Sequence, residues 1–401
     1  MTLWAVFLPL TTPSLAQPLP HPMAGNDSAY SYMDSVEVSL LTCSPHDEVY
    51  SLYGHTALRW HNLHAEKGGD MVFNWGIFNF EKPHFVSRFV FGLTDYELGV
   101  GNYRSFCDYY EQWGSSVTEQ VINLSNEEKL KLQEALTVNL RPENYIYRYN
   151  FFYDNCATRP RDMLERCLNG RLDYHERQDY KPSFRDIVHE QTRNSPWARF
   201  GNDMLLGVTA DRPTTRKEQE FLPMNLLYDF DHATICTPDG NVRPLVSKRR
   251  MAVPPGVQMT SSSFPFTPLQ CAAALLIASL GVFALEWRRR RTFKFFDALL
   301  MLAAGVAGCV LTAMVFSQHP CTSLNLQILL LNPLPLFFLP SVLRRTHTRW
   351  WKWSFVLIVL FMAGGFLQHY ADGMYVLALC LLSRVCSNHT NRGKEVNSKP
   401  E

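Results

Sequence analysis

The last third of the chain decides what it can fold into. From Leu269 onward, the stretches Leu269–Trp287, Phe296–Phe316, Leu324–Leu343, Phe355–Leu367 and Met374–Val385 are apolar with few or no charges. A helix of roughly 20 such residues crosses the hydrocarbon core of a bilayer; the first three stretches reach that length unaided, and the last two need their flanks or a small tilt. Lipid offers the backbone no hydrogen-bond partners, so segments like these enter it as helices. Residues 269–386 are therefore expected to form an all-α membrane domain of about five transmembrane helices.

Charge sets its orientation. Arg288, Arg289, Arg290, Arg291 and Lys294 follow the first stretch, and Arg344, Arg345, Arg349 and Lys352 follow the third. The opposite loops, Ser317–Ser323 and Gln368–Gly373, contain no Lys or Arg. Basic loops stay cytoplasmic. That rule puts the residues before Leu269 outside the cytoplasm and the tail 387–401, with Arg392, Lys394 and Lys399, inside. At the N-terminus, Leu3–Leu10 is a short apolar core followed by Ser14-Leu15-Ala16, so residues 1–16 read as a signal-peptide-like segment, although no Lys or Arg precedes the core. The expected location is the inner (cytoplasmic) membrane, multi-pass, with the N-terminal domain in the periplasm. Lys and Arg number 38 against 37 Asp and Glu, a balance without the basic footprint that nucleic acid demands.

Residues 36–253 read as one mixed domain, joined to the membrane by a linker, 254–268, that contains Pro254, Pro255, Ser261–Ser263, Pro265 and Pro268. Val49–Trp60 and Met71–Phe80 have the character of strands around the turn-forming Glu66-Lys67-Gly68-Gly69-Asp70. Pro83–Phe91 puts Phe85, Val86, Phe89 and Val90 on one helical face. Ser125 and Glu128 form a capping box ahead of Leu130, Leu132, Ala135, Leu136 and Leu140. Tyr145–Tyr153 is extended and aromatic, and Met163, Leu164, Cys167 and Leu168 mark a helix ending at Asn169-Gly170.

No dinucleotide glycine pattern, phosphate loop or Gly-x-Ser-x-Gly elbow occurs, and no cofactor is expected. His61 and His64 lack the Cys, His or carboxylate company of a metal site and read as surface histidines. Five cysteines, Cys43, Cys107, Cys156, Cys167 and Cys236, fall in the exported domain. That odd number leaves a thiol free unless one pairs with Cys321 or another chain.

Cys156 stands where Tyr153-Asp154-Asn155-Cys156-Ala157-Thr158 turns from an aromatic strand into a helix, with Asn155 or Thr158 as the natural N-cap. A thiol in a first helical turn faces the positive end of the helix dipole, which favours thiolate. Pro160 moves the helix start towards Thr158 and weakens that effect. A base stands in Tyr53-Gly54-His55-Thr56-Ala57-Leu58-Arg59, where alternation puts His55, Ala57 and Arg59 on one face and Gly54 leaves room beside the imidazole. These residues alone admit two readings: a nucleophile–base pair of Cys156 and His55, or a structural cysteine near a cap and a core histidine.

The segments Tyr53–Arg59, Phe73-Asn74-Trp75-Gly76-Ile77-Phe78-Asn79-Phe80 and Tyr149-Asn150-Phe151-Phe152-Tyr153-Asp154-Asn155-Cys156 resemble the Bacteroidetes lipoprotein N-acyltransferase family (Lnb). So do Trp197–Gly201, Leu205-Leu206-Gly207, Asp211, Phe221-Leu222-Pro223, and, in the membrane part, Ser317-Gln318-His319-Pro320, Asn325 and Asn332-Pro333. The resemblance covers about Val36 to Val385. It implies an α+β chain: a permuted papain-like (NlpC-type) exported domain, also related to lecithin–retinol-acyltransferase-type enzymes, followed by the membrane helices. It implies His55 as general base and Cys156 as nucleophile. It also implies the reaction, in which a phospholipid donates an acyl chain, through a Cys156 thioester, to the N-terminal α-amine of a diacylglyceryl-cysteine lipoprotein.

Tyr53, Asn155 and Arg159 are then candidates for orienting the ring, capping the helix and meeting a lipid phosphate, against the plainer roles of strand packing, N-cap and solvated arginine. His319 lies in an outer loop, as a headgroup contact or a helix cap before Pro320. Asn332 is polar inside an apolar span, which points to an interhelical or lipid contact. Pro333, Pro335 and Pro340 are expected to kink that span. Two other functions fit the same residues: a membrane-anchored papain-like cysteine hydrolase of the cell wall, and a non-enzymatic envelope assembly protein.

Overall fold

The computed structural model describes residues 26–48, 51–65, 69–78, 83–258, 264–344 and 349–396. The signal-peptide-like segment 1–16, Glu66-Lys67-Gly68 of the expected turn, Asn79 and Phe80, Ser261–Ser263 of the linker, Arg345 and Lys399 lie outside the described residues. The chain divides into two compact units, one of Met1–Phe89, Leu93–Lys181 and Thr215–Ser261, the other of Val90–Gly92, Pro182–Thr214 and Ser262–Glu401.

The first unit is built on strands β1 (Val36–Cys43), β2 (His55–Asn62), β3 (Asp70–Ile77), β4 (Asp95–Asn102), β5 (Val117–Ile122), β6 (Ile146–Arg148), β7 (Arg171–Asp173), β8 (Thr234–Cys236), β9 (Val242–Pro244) and β10 (Val246–Val253). Seven of them form an antiparallel sheet in the order β10-β5-β1-β2-β3-β4-β6, and β7-β8-β9 form a small second sheet. Side chains alternate across a strand, and here both faces are covered. Leu40, Leu58, Trp60, Phe73 and Trp75 pack with Leu132 and Leu136 of the helix Asn126–Asn139 and with Met163 and Leu164 of the helix Thr158–Cys167. Leu41, Cys43, Ala57 and Val72 face the other way, against Tyr110, Val117 and Val253. Trp60 and Trp75 are wholly buried; each removes roughly 200 Å² from water. The capping box of Ser125 and Glu128 is present, and the helix after Cys156 ends at Cys167, one residue before the C-cap Leu168.

Two local expectations change. Pro83–Phe91 yields only a six-residue helix, Phe85–Val90, with none of its residues buried. Fewer than two turns give no continuous stripe with which to join a core. Tyr145–Tyr153 is extended only over β6, because Asn150 and Asp154 exchange backbone hydrogen bonds of 3.0 and 2.9 Å and fold Phe151-Phe152-Tyr153 into a turn.

The second unit is helical. Pro268–Arg289, Lys294–Val315 and Leu326–Leu343 are long and apolar enough to cross a membrane, and Trp350–Gly364 is a shorter apolar helix. Met374–Val396 continues the expected last stretch well past Val385. The span 326–343 is broken rather than kinked, with a 3-10 turn Leu326–Leu329, non-helical residues to Pro333, and a helix Leu334–Leu343. Pro333 has no N–H to continue the ladder. Gly308 accepts the break against its backbone; a Cβ there would lie 2.2 Å from the carbonyl carbon of Asn332. Arg384 bonds Glu286 at 2.7 Å and Asp297 at 2.6 Å, drawing three helices together inside the unit. Beside it is a cavity of about 30 Å³, lined among others by Asp297, Asn332, Trp351, Ser354 and Arg384, with room for about one water.

Pro182–Thr214 belongs to this helical unit. Arg185, buried, bonds Asp203 at 2.7 Å and Asp211 at 2.6 Å and so fixes the segment's own shape. The amides of Gly207 and Val208 donate to the carbonyls of Cys321 and Leu324, both at 2.8 Å. Asn325, Gln327 and Gln368 donate side-chain N–H groups to the carbonyls of Met204, Asp203 and Leu206.

Candidate functional site

His55 opens β2, directly across from Cys43 of β1. Gly54 before it has φ +73°, and a Cβ there would stand 2.6 Å from the Cys43 carbonyl oxygen. Only glycine takes this left-handed turn so close to backbone without strain, and the turn aims the half-buried imidazole at the sheet end where Cys156 stands. Cys156 lies two residues before the helix Thr158–Cys167. It is thus outside the first helical turn, and the dipole is not what holds its charge. Asn155 takes the capping role: its Oδ1 accepts from the amides of Ala157 (2.9 Å) and Thr158 (3.0 Å), while its Nδ2 donates to the carbonyls of Phe151 and Phe221, both at 2.9 Å. Every hydrogen-bonding atom of this buried side chain is used to fix the loop that presents the thiol.

His55 and Cys156 hydrogen-bond to one another. Burial pushes the thiol up, but the charge and hydrogen bond of His55, the Thr56 amide and the Cys156 amide outweigh it and hold the thiol below its ordinary value of 9.0. Burial pushes the imidazole down, but the Cys156 thiolate, its hydrogen bond and Asn74 together raise it above 6.5. The two shifts share one cause: each group favours the charged form of the other, which favours a thiolate–imidazolium pair. Thiolate is the nucleophilic form of cysteine.

Asn74, on β3, bonds His55 Nε2 through Oδ1 at 3.1 Å, which leaves Nδ1 for the thiol. A thiol, an imidazole beside it and an amide on the ring's other nitrogen have the arrangement of a cysteine triad. Two residues on from Asn74, Gly76 has φ +99° at the point where the β3–β4 register slips. A Cβ on Gly76 would lie 3.7 Å from the Cys156 Cβ and 4.0 Å from the Tyr147 hydroxyl, so the glycine leaves an opening about one methyl group wide beside the thiol. Tyr147 is 7% exposed, and its hydroxyl has no hydrogen-bond partner among the described residues.

Asn74, Gly76 and Tyr147 are additions to the residues that sequence reasoning singles out. Asn74 carried a signal, an amide between the aromatic residues of a quoted motif. Tyr147 carried none, being one tyrosine among 17. The remaining candidates take these places. Tyr53 packs edge-on against Phe151, ring centroids 4.9 Å apart. Arg159 is held bidentately by Asp154 at 2.6 and 2.8 Å, and its guanidinium carbon lies 3.5 Å above the Tyr147 ring. In the helical unit, the His319 amide donates to the Ser317 hydroxyl oxygen at 3.2 Å, and the His319 backbone packs against Gly92. Asn332 bonds Leu329 O (3.3 Å) and Leu334 N (3.1 Å), closing its own break instead of reaching another helix. All ten cysteines are free thiols.

Among protein-family models, the Lnb N-terminal periplasmic domain matches residues 28–191 and the Lnb transmembrane domain matches residues 259–395. No curated protein and no solved structure matches the chain.

Proposed function

The chain belongs to the Lnb family, and on that premise we propose that it is a membrane-anchored N-acyltransferase working through a Cys156 thioester. The donor is a phospholipid, and the acceptor is the N-terminal α-amine of a diacylglyceryl-cysteine lipoprotein. The observation that carries this reading is the Cys156–His55–Asn74 constellation, with the thiol held below its ordinary value, in a chain with a periplasmic domain and apolar spans.

The thiolate adds to the ester carbonyl of the donor, forming an S–C bond while the carbonyl electron pair moves onto oxygen. Collapse of this tetrahedral species breaks the ester C–O bond, and the departing lysophospholipid oxygen takes the imidazolium proton of His55. The neutral imidazole then accepts a proton from the lipoprotein amine as nitrogen adds to the thioester. Loss of thiolate yields the amide and restores the ion pair. His55 serves as acid and then as base, and Asn74 keeps its ring in place for both. Asn155 holds the thiol's loop, and Arg159 with Tyr53 packs its aromatic surroundings.

The test is intact-mass analysis of the full-length protein with phospholipid vesicles, wild type beside Cys156→Ala. The expected result is a hydroxylamine-sensitive acyl adduct on wild type alone, discharged by a diacylated lipopeptide. Absence of an adduct with every phospholipid tried would overturn the donor assignment.

A further inference from the structure

A carbonyl under attack by Cys156 needs a donor for the oxygen that becomes negative. The Cys156 amide, which lowers the pKa of its own thiol, is one. We propose that the Tyr147 hydroxyl is the second, donating to the oxyanion across the opening that Gly76 leaves beside the thiol. The inference rests on the acyl-transfer reading only in requiring a carbonyl at Cys156.

Three observations converge on this hydroxyl. A phenol buried to this degree ordinarily finds a partner, because stripping it of water without one costs about 1–3 kcal/mol; Tyr147 is 7% exposed and its hydroxyl has none among the described residues. The hydroxyl and the Cys156 Cβ, which carries the sulfur, flank a single point, at 4.0 and 3.7 Å from where a Gly76 Cβ would stand. The ring itself is clamped: it sits on β6 in register with Tyr96, under the Arg159 guanidinium, which Asp154 in turn anchors. An unsatisfied donor held rigidly beside a nucleophile is a preorganised site for developing negative charge. Burial and the neighbouring thiolate both keep the phenol protonated, well above its ordinary value, so it remains a donor throughout turnover.

The step involves no transfer of the tyrosine proton. As the S–C bond forms, the carbonyl pair moves to oxygen and is hydrogen-bonded by Tyr147 and the Cys156 amide. On collapse the pair returns and the leaving oxygen takes its proton from His55.

The experiment compares full-length wild type with Tyr147→Phe in detergent micelles. Three quantities are read: acylation of Cys156 by p-nitrophenyl octanoate, alkylation of Cys156 by iodoacetamide, and the thermal midpoint. Alkylation passes through no oxyanion. The expected variant is alkylated at the wild-type rate, is acylated roughly 100-fold more slowly, as for loss of one oxyanion-hole donor, and melts no lower, since it has shed an unsatisfied buried group. Acylation at the wild-type rate would overturn the proposal. So would a parallel loss of acylation and alkylation, which would mean that the hydroxyl serves the thiolate, or a failure to fold, which would mean that it has a structural partner. If Tyr147→Phe separates the two reactions but neither protein accepts an acyl chain from phospholipid vesicles, the oxyanion assignment stands and the phospholipid donor falls. A wild type acylated by neither donor overturns both.

Discussion

Replacing Asn74 by Ala removes the acceptor on His55 Nε2 and nothing else from the ion pair. The bond is 3.1 Å long and lies in a half-buried site. An acceptor favours the charged ring, and a hydrogen bond to a charged group is worth about 1.5–3 kcal/mol. At the lower end of that range the imidazole loses about one pKa unit. The sign of the effect on sulfur follows from the coupling. A less basic His55 is a weaker counter-charge, so the thiol pKa rises, and the acid limb of thiolate reactivity moves to higher pH by a similar amount. On that limb, Asn74→Ala should alkylate about tenfold more slowly than wild type at equal pH, while the plateau rate at higher pH is retained. The assay is the pH profile of iodoacetamide incorporation into the Cys156 peptide, read by mass spectrometry because nine other free thiols share the chain. A folded Asn74→Ala protein whose acid limb coincides with the wild-type limb would refute the role given to this amide.

Gly54→Ala forces a Cβ to within 2.6 Å of the Cys43 carbonyl at φ +73°; the left-handed conformation alone costs roughly 1–2 kcal/mol. The thermal midpoint should fall and Cys156 alkylation should slow together, and an unchanged midpoint would count against the strain. Glu220 and Asp229 are both buried, and each acts on the other's charge. Burial raises Glu220 from 4.5 to about 8, with Asp229 adding to it against Arg216 and Arg161. A raised carboxyl stabilises the fold fully below its unfolded pKa, and that contribution is lost as pH rises through about 8. Wild type should therefore melt progressively lower through that window, and Glu220→Gln should flatten the profile; equal slopes in the two proteins would remove Glu220 as the cause.

What was legible in the chain was whatever depends on neighbours in sequence. The Ser125–Glu128 cap and the apolar spans each declare themselves within a few residues. His55 and Cys156 were legible as types in suggestive settings, and the family motifs paired them. The cause of the thiol's acidity was not, because the helix starts at Thr158 and the lowering comes from His55 and the Thr56 amide, groups about 100 positions away in the chain. Asn74 and Tyr147 reach the same centre through strand register and a bulge; Asn74 stood out as an amide within an aromatic motif, and no local pattern marks Tyr147. Phe85–Val90 failed as a core helix for want of length, and Asn332 faced its own broken turn because Pro333 withholds an amide. Pro182–Thr214 reads as ordinary exported sequence. Its membership of the helical unit depends on partners from Cys321 to Gln368 that only the fold assembles.

That last segment bears on how such a chain can be cut, fused or inherited. A protein truncated before the first span would keep Arg185 with Asp203 and Asp211. It would strip the amides of Gly207 and Val208 and the carbonyls of Met204, Asp203 and Leu206 of their partners, at about 1–3 kcal/mol for each group that stays buried. Pro182–Thr214 is therefore expected to lose its fold in any fragment cut before the first span, although it precedes that span in sequence. A cut that respects sequence order there would divide one folded unit, so the boundary of the helical unit is set by hydrogen bonds and not by where the apolar spans begin.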